Sequence, residues 1–296
     1  MTELAIRDDL LVARARERVS YLTSGLVDRF AAFRHGDDVS GCLLLRGLPV
    51  GELPPTPARP TEPTSKSDST ELLLLSIALL LGEPVGYQPE HGGDVVQNIV
   101  PVRASSLRQT STSSGVDLMF HTEAAFHPHR PKYLLLMCLR GDARARTTIA
   151  SIHAALPHLD AGVVDVLFQP RFRCAIDESY LDGRVNTLGP KIAVLSGTRT
   201  NPSMVFDEDL MVGIDPEASN ALRELGATFS RHHDGIVLAA GDLVVIDNST
   251  AVHGRSPFTP RFDGTDRWLQ RAFVVSDLDP SKHERTGRTI TSQFGR

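Results

Sequence analysis

Short apolar runs separated by Gly, Pro and Asp fill the chain from about residue 94 onwards, and no other feature constrains the fold as strongly. The runs are VVQNIVPV, DLMF, KYLLLMCL, RTTIASI, RFRCAI, KIAVLS, IVLAAGDLVVIDN and WLQRAFVVSD. Runs of this length between turn-forming residues are typical of a β-sandwich or a β-barrel, and they argue against a doubly wound parallel sheet. Helical patterns interrupt them within residues 153–168 and 215–233. We therefore predict a mainly β protein with flanking helices.

The N-terminal part of the chain has a different character. Apolar residues spaced three and four apart among charges in residues 4–33 predict an amphipathic helix, or two helices with a break near Ser24. The run GCLLLRGLP predicts a strand, and residues 52–69, which are rich in Pro, Ser and Thr, predict a surface loop. A buried helix is predicted next, ending at Leu81.

The segment that precedes this loop is too short to form a hydrophobic core of its own. We therefore predict one domain over residues 1–296. Residues 1–80 would form an N-terminal helical and strand region that contains the loop. Residues 82–296 would form the β core, with helical and lid insertions.

Charge and composition exclude several classes of function. The formal net charge is −5 and no dense Lys/Arg block is present, so neither a nucleic acid nor an anionic membrane is an expected partner. The longest apolar run, LLLLSIALLL, is too short to span a bilayer, and the first residues, MTELAIRDDLL, are acidic where a signal peptide would be basic. Cys42, Cys138 and Cys174 lie far apart and outside any C-x-x-C spacing, which indicates reduced thiols. We expect a cytoplasmic protein.

The triplet His-Thr-Glu at residues 121–123 is the first candidate site. Side chains at positions i and i+2 of an extended chain project to the same face, so His121 and Glu123 could hold one metal ion. Taken alone, the triplet is more typical of a solvated strand end than of a metal site. His253 follows the apolar run GDLVVIDN in a polar segment, and a barrel could bring it beside the triplet. Two histidines and one carboxylate suit Fe(II), because they leave coordination positions open. A zinc hydrolase would need a better third ligand and a general base nearby.

Two arginines follow this histidine within a run that resembles a strand. Arg267 and Arg271 are four residues apart, so an extended chain would present both guanidinium groups on one face. Guanidinium groups bind carboxylates through paired hydrogen bonds. The alternative is a pair of surface arginines beside an aspartate-rich loop.

Two long segments carry a resemblance to a known family. FHTEAAFHPHRPKYLLLMCLRGD and GDLVVIDNSTAVHGRSPFTPRFDGTDRWLQR resemble the clavaminate synthase-like branch of the Fe(II) and 2-oxoglutarate dioxygenases. The similarity runs from about residue 82 to the last residue. This branch includes the free arginine, lysine and asparagine hydroxylases of peptide antibiotic pathways. The resemblance implies a double-stranded β-helix (jelly-roll) core, and it implies Fe(II), 2-oxoglutarate and O2 as cofactor and cosubstrates.

The resemblance also assigns roles to the candidate residues. It implies that His121, Glu123 and His253 are the iron ligands. It implies that Arg267 binds the far carboxylate of 2-oxoglutarate, with the Thr147 hydroxyl as a second donor and the adjacent Thr148 as an alternative. Halogenases of the family carry a small residue at the position of the glutamate, so Glu123 argues for hydroxylation.

By the same resemblance, Arg271 binds the carboxylate of a free amino-acid substrate. Glu123, Gln97 or a serine of the STSSG segment, Ser111, could bind the substrate ammonium group. Asp207 falls where basic-amino-acid hydroxylases of the family place an aspartate on a lid, so lysine or arginine is the expected substrate; an ordinary acidic loop is the alternative. Other possibilities are a neutral or carrier-tethered amino acid, desaturation, and a metal-free barrel that acts as a binding protein.

Overall fold

The long strands of the protein coincide with apolar runs of its sequence. In the computed structural model, which describes residues 3–36, 39–62 and 68–295, sixteen strands are present. In chain order they are β1 (Cys42–Leu45), β2 (Glu83–Tyr87), β3 (Val96–Ile99), β4 (Leu118–His121), β5 (Tyr133–Arg140), β6 (Arg146–Ser151), β7 (Phe172–Cys174), β8 (Leu195–Gly197), β9 (Pro202–Met204), β10 (Met211–Gly213), β11 (Asp234–Val237), β12 (Leu243–Asp247), β13 (Ala251–Arg255), β14 (Trp268–Val275), β15 (Arg285–Thr286) and β16 (Thr289–Ile290).

Two sheets make up most of the β structure. The larger sheet has the order β1-β12-β5-β14-β2-β16-β15, with β3 also paired to β14. The smaller sheet has the order β11-β6-β13-β4. Two further pairs, β7 with β10 and β8 with β9, lie outside these sheets. The pairing is antiparallel except between β2 and β16. The prediction of a mainly β protein is confirmed.

Helices cover the outer faces of the sheets. They are α1 (Glu3–Arg18), α2 (Ser24–His35), α3 (Asp68–Ala78), α4 (Ile152–Ala155), α5 (Ala161–Leu167) and α6 (Pro216–Arg231). Side chains of α1, α2 and α3 pack with those of the larger sheet, whereas α5 and α6 belong to a separate cluster beside the smaller sheet. No helix of the described residues is long and apolar enough to cross a membrane.

Two predicted boundaries of the N-terminal region differ from the structure. The loop predicted over residues 52–69 ends earlier, because α3 has already begun at Asp68; residues 63–67 lie outside the described residues. The helix predicted to reach Leu81 ends at Ala78 and continues as a turn. β1 pairs with β12 at the edge of the larger sheet.

The continuous apolar runs of the larger sheet reflect burial on both of its faces. In β5, Tyr133, Leu135 and Met137 belong to the cluster shared with the N-terminal helices, whereas Leu134 and Leu136 point to the opposite face. Alternate residues of a strand face opposite sides, so a strand covered on both sides needs apolar residues throughout. The larger sheet is therefore a rigid support for groups that point between the sheets.

His253 lies in a strand of the smaller sheet, which corrects the prediction of a polar segment. The run GDLVVIDN contains β12 of the larger sheet, and a turn at residues 248–250 leads into β13 of the smaller sheet. In β13, His253 is paired with His121 of β4 on one side and with Ile149 of β6 on the other. The sequence AVHGR does not have the apolar pattern of a strand, because it contains two basic residues and a glycine.

Gly254 allows the strands of the smaller sheet to approach closely. The register of β13 with β4 shifts at this residue. A Cβ atom at position 254 would overlap the carbonyl oxygen of Leu118 and would lie 2.9 Å from Thr148 Oγ1.

We predict that Gly254→Ala lowers the free energy of unfolding by about 1–3 kcal/mol, because overpacking against the backbone forces strands apart. Gly235→Ala, in β11 of the same sheet, is the matched control. Its Cβ would meet the Arg146 side chain at 3.5 Å, an ordinary contact, so a change within about 0.5 kcal/mol is expected. Urea-induced unfolding measures both values, and equal losses would contradict the role of Gly254.

Candidate active site

Two histidines and a glutamate meet at the end of β4. His121 is the last residue of this strand, and its ring centroid lies 4.3 Å from that of His253 across the β4–β13 pair. One ligand atom of each of His121, Glu123 and His253 lies within 4.8 Å of the other two. Carboxylate and imidazole donors at such separations can share one divalent cation.

Glu123 reaches this group from a turn and not from a strand, which corrects the predicted geometry. The strand ends at His121, and Ala124 adopts a left-handed conformation with φ of 50°. The buried Asn248 fixes the turn: its Oδ1 accepts from the Glu123 amide at 2.7 Å, and its Nδ2 donates to the carbonyl oxygens of Glu123 at 3.1 Å and Pro131 at 2.8 Å. A side-chain amide therefore replaces the missing strand pairing. Sequence reasoning did not identify Asn248.

The hydrogen bond of His121 and the burial of His253 favour binding of a cation. The Nδ1 atom of His121 lies 2.8 Å from the carbonyl oxygen of Met119, so it donates there and leaves Nε2 as an acceptor. Burial, followed by the charges of His121 and Arg271, lowers the pKa of His253 well below its usual value. Its imidazole is neutral, which is the form that binds metals.

The hydrogen bonding of the ligand atoms is also consistent with a bound metal ion. Among the described residues, Glu123 Oε2 is buried without a hydrogen-bond partner, and His253 Nε2 faces it from 3.6 Å. Leaving a buried polar atom unpaired costs about 1–3 kcal/mol. A divalent cation beside the Glu123 carboxylate would compensate this cost, so the residues fit the metal ion that the sequence suggests.

A buried network of charges adjoins the site. Arg271 donates to Glu90 and, from Nε at 2.9 Å, to Gln97 Oε1, and its Nη1 lies 3.5 Å from Glu123 Oε1. Tyr180 donates its hydroxyl to Glu90 Oε1 at 3.0 Å. Burial raises the pKa of Glu90 to about 7, with Arg271 acting in the opposite direction. Sequence reasoning missed Glu90, because nothing in GYQPEHGG indicates its distant partner. Gln97 lies behind Arg271 and is not among the described residues that line the cavity.

A second guanidinium group, that of Arg267, directly precedes β14 and reaches Thr147 of β6. Arg267 is buried, its Nη2 donates to Thr147 Oγ1 at 3.3 Å, and both residues line the cavity. Thr148, the alternative to Thr147, is not among the described lining residues. Within the described chain, Arg267 forms no ion pair with a carboxylate. This end of the cavity is therefore positively charged.

The cavity, of about 510 Å³, lies between the two sheets and is lined by residues of both. Ser111 and Asp207 are among them. Asp207 pairs with His121 as an isolated bridge, and its Oδ1 accepts from the amides of Asp209 at 3.0 Å and Leu210 at 2.8 Å. Burial raises the pKa of Asp207. The predicted lid aspartate is thus a buried group directly beside β4.

Comparison with known sequences gives clear relatives, although no family model matches the chain. The chain is 38% identical over 289 residues to an L-lysine 3-hydroxylase of Catenulispora acidiphila, covering 95% of this chain and 81% of the relative. It is 40% identical over 260 residues to an L-asparagine oxygenase of Streptomyces coelicolor, covering 86% and 77%. It is 34% identical over 289 residues to clavaminate synthase 2 of Streptomyces clavuligerus, covering 94% and 87%.

Solved structures resemble the fold over nearly its whole length. An asparagine oxygenase in complex with Fe(II), (2S,3S)-3-hydroxyasparagine and succinate matches with a TM-score of 0.88 at 37% identity, covering 94% of this chain and 88% of that chain. The non-heme iron oxygenase OrfP in complex with Fe and alpha-ketoglutaric acid matches with a TM-score of 0.86 at 34% identity, covering 96% and 91%. The predicted jelly-roll core is confirmed.

We predict that Asn248→Asp weakens binding of Fe(II) or Co(II) by roughly 10–100-fold, a range typical of groups that orient metal ligands. The carboxylate cannot donate to the two carbonyl oxygens, so the turn that carries Glu123 is released. Asn98→Asp is the matched control, since Asn98 is also buried but accepts from Trp268 Nε1 at 2.9 Å. Anaerobic titration calorimetry measures both variants. Native affinity in Asn248→Asp, or an equal loss in the control, would contradict this role.

Proposed function

The chain belongs to the clavaminate synthase-like family of Fe(II)- and 2-oxoglutarate-dependent oxygenases, and on this premise we propose that it hydroxylates a free basic L-amino acid, lysine or arginine. It is an enzyme of amino-acid oxidation that uses Fe(II), 2-oxoglutarate and O2. The observation that carries the choice of substrate is the buried Asp207 beside the candidate metal site, opposite the cationic end of the cavity.

We propose His121, Glu123 and His253 as the iron ligands. When bound there, Fe(II) supplies the activation of O2 that couples oxidation of 2-oxoglutarate to succinate with hydroxylation of a C–H bond. The protein keeps the His253 imidazole neutral, orients His121 through the Met119 carbonyl oxygen, and fixes Glu123 through Asn248. The cavity is also lined by the apolar side chains of Ile99, Leu136 and Leu269.

Arg267 and Thr147 are the proposed ligands of the far carboxylate of 2-oxoglutarate. A guanidinium without a carboxylate partner is costly to bury, and a dianion removes that cost. Thr147 lies 3.3 Å from Arg267 Nη2, so its hydroxyl and the guanidinium face the same space.

The Arg271–Glu90 pair is the proposed site for the α-carboxylate and α-ammonium groups. A zwitterion placed against a neighbouring cation and anion satisfies both charges at once. Glu90 therefore joins the residues predicted for the ammonium group, Gln97, Ser111 and Glu123. Gln97 would act by orienting Arg271, to which it is hydrogen-bonded.

Charge balance favours a substrate with an additional positive charge. Among the described residues that line the cavity, carboxylates outnumber guanidinium groups six to four. The two positive charges of Fe(II) balance the two negative charges of 2-oxoglutarate. The excess of carboxylates over guanidinium groups in the cavity therefore remains when both are bound. Asp207 has a raised pKa because of burial, and a bound ammonium or guanidinium group would restore its charged form.

A neutral amino acid is the second candidate substrate, because the chain is also 40% identical to an asparagine oxygenase. A carrier-tethered amino acid would lack the free carboxylate that Arg271 is proposed to bind. We further propose that the enzyme acts in the cytoplasm, which the three free cysteines support, and that the described residues form one domain.

Incubation with Fe(II), ascorbate, 2-oxoglutarate and each proteinogenic amino acid tests the proposal. Lysine or arginine should give the highest succinate formation, with a product heavier by one oxygen atom; His253→Ala is the inactive control. Highest turnover with asparagine or another neutral amino acid would reject the choice of substrate and leave the oxygenase assignment intact.

We predict that Asp207→Asn narrows the ratio of kcat/KM between lysine and norleucine, or between arginine and citrulline, by about tenfold or more, as expected for loss of a buried charge pair. Asparagine retains the Oδ1 acceptor for the Asp209 and Leu210 amides, so the change removes charge alone. Glu178→Gln is the matched control, because Glu178 lines the same cavity with an exposed side chain. Unchanged ratios in Asp207→Asn would reject its role.

We predict that Arg267→Lys raises the KM for 2-oxoglutarate by about tenfold or more, because lysine cannot form two parallel hydrogen bonds to a carboxylate. The KM for the amino acid should change far less. Steady-state kinetics with each substrate varied in turn measures both, and equal increases would count against the role of Arg267.

A further inference from the structure

Arg255 is a buried cation for which the proposed reaction has no assigned use. It follows His253 by two residues in β13, so both side chains point to the same face and line the cavity. Its Nη1 donates to the Ser113 carbonyl oxygen, and its Nη2 donates to Ser113 Oγ at 3.0 Å and to the Val116 carbonyl oxygen at 3.2 Å. Its Nε donates to the carbonyl oxygen of Ser256 at 3.2 Å. All partners of the guanidinium are neutral.

Arg255 and Arg267 lie together at one end of the cavity. Their guanidinium carbons are 5.1 and 6.0 Å from the centroid of the same Phe258 ring. In the smaller sheet, Arg255 is paired with Thr147, the hydroxyl partner of Arg267. A guanidinium group stays protonated in proteins, so both groups are cations at neutral pH.

Two like charges held in one buried space repel each other. Among the described residues, neither guanidinium forms an ion pair with a carboxylate, and Asp117 and Asp142 act on Arg255 and Arg267 only from a distance. Such an arrangement is stable when a ligand supplies the missing negative charge. A 2-oxo acid without a far carboxylate leaves both guanidinium groups without an anion. 2-Oxoglutarate brings its far carboxylate to this end of the cavity, where both guanidinium groups attract it.

We propose that Arg255 is a positioning residue that selects a dianionic 2-oxo acid, by adding a second positive charge to the Arg267 end of the cavity. Arg255 makes its hydrogen bonds to Ser113, Val116 and Ser256, and its positive charge acts on the cosubstrate without direct contact. This inference rests on the proposed binding of 2-oxoglutarate at Arg267.

The test compares 2-oxoglutarate with 2-oxopentanoate, which has the same chain length but lacks the far carboxylate. Binding of each to the Fe(II)-loaded protein is measured anaerobically by titration calorimetry. Arg255→Gln removes the charge and retains a donor to the loop, and Arg255→Lys retains the charge and loses the paired donors. Arg103→Gln is the matched control, since Arg103 is an exposed arginine 3.9 Å above the Phe262 ring.

A substitution at Ser113 tests the effect of the Arg255 charge while Arg255 itself is unchanged. The Ser113 hydroxyl accepts from Arg255 Nη2 at 3.0 Å, so the carboxylate of Ser113→Asp would neutralise the guanidinium. This variant decides the question if Arg255→Gln does not fold.

We expect Arg255→Gln and Ser113→Asp to weaken 2-oxoglutarate binding by about tenfold, the size of one charge acting across several ångströms at an intermediate dielectric. Binding of 2-oxopentanoate should stay within about twofold, since it lacks the second charge. Arg255→Lys and Arg103→Gln should bind 2-oxoglutarate like the native protein.

Two results would overturn the role of Arg255. One is an equal loss for both ligands in Arg255→Gln and Arg255→Lys, which indicates a loop contact alone. The other is unchanged binding of 2-oxoglutarate in Arg255→Gln and Ser113→Asp. Failure of the proposed function has a different signature: the native protein would bind the two 2-oxo acids equally, and Arg267→Lys would have no effect.

Discussion

The antiparallel pairing of β4 with β13 is the constraint on which the rest of the cavity depends. It places His121 opposite His253, and β6 on the other side of β13 places Thr147 opposite Arg255. Asp207 flanks β4 on its remaining side. A sheet fixes the lateral order of its strands, so this register separates the cationic end of the cavity from the acidic end, with the two histidines between them.

Burial strengthens the electrostatic interactions among these groups. Charges between the sheets are largely removed from water, and interactions between them are several times stronger than at the surface. The same burial keeps His253 neutral and raises the pKa values of Glu90 and Asp207. A charged group in this space therefore depends on a partner of opposite charge. Glu90 has Arg271 as its partner, whereas the Arg267 guanidinium forms no ion pair within the described chain and depends on an anionic ligand.

The sequence predicts the parts of this arrangement that depend on local pattern. Apolar runs locate the long strands, and the spacing of Arg267 and Arg271 places both guanidinium groups in the cavity. Contacts between distant segments are not predictable in this way. Asn248 holds Glu123 across 125 residues, and Glu90 meets Arg271 across 181. Whether Thr147 or Thr148 faces the cavity depends on the strand register, because a shift of one residue exchanges the faces of the two side chains.

The buried Arg271–Glu90 pair gives a physical reason for the enzyme to require a free amino acid. In the proposed arrangement, both ends of a zwitterion are matched by a group of opposite charge. An amino acid tethered through a thioester has an ammonium group but no free carboxylate. Its ammonium group would share Glu90 with Arg271, and no carboxylate would pair with Arg271 in return. Leaving a buried charge without its partner costs about 2–5 kcal/mol. Tyr180 and Gln97 hold the pair in place before the substrate arrives, so the substrate does not have to organise the site. In this proposed arrangement the Arg271–Glu90 pair selects for both ends of a free amino acid, and the groups farther along the cavity distinguish one side chain from another.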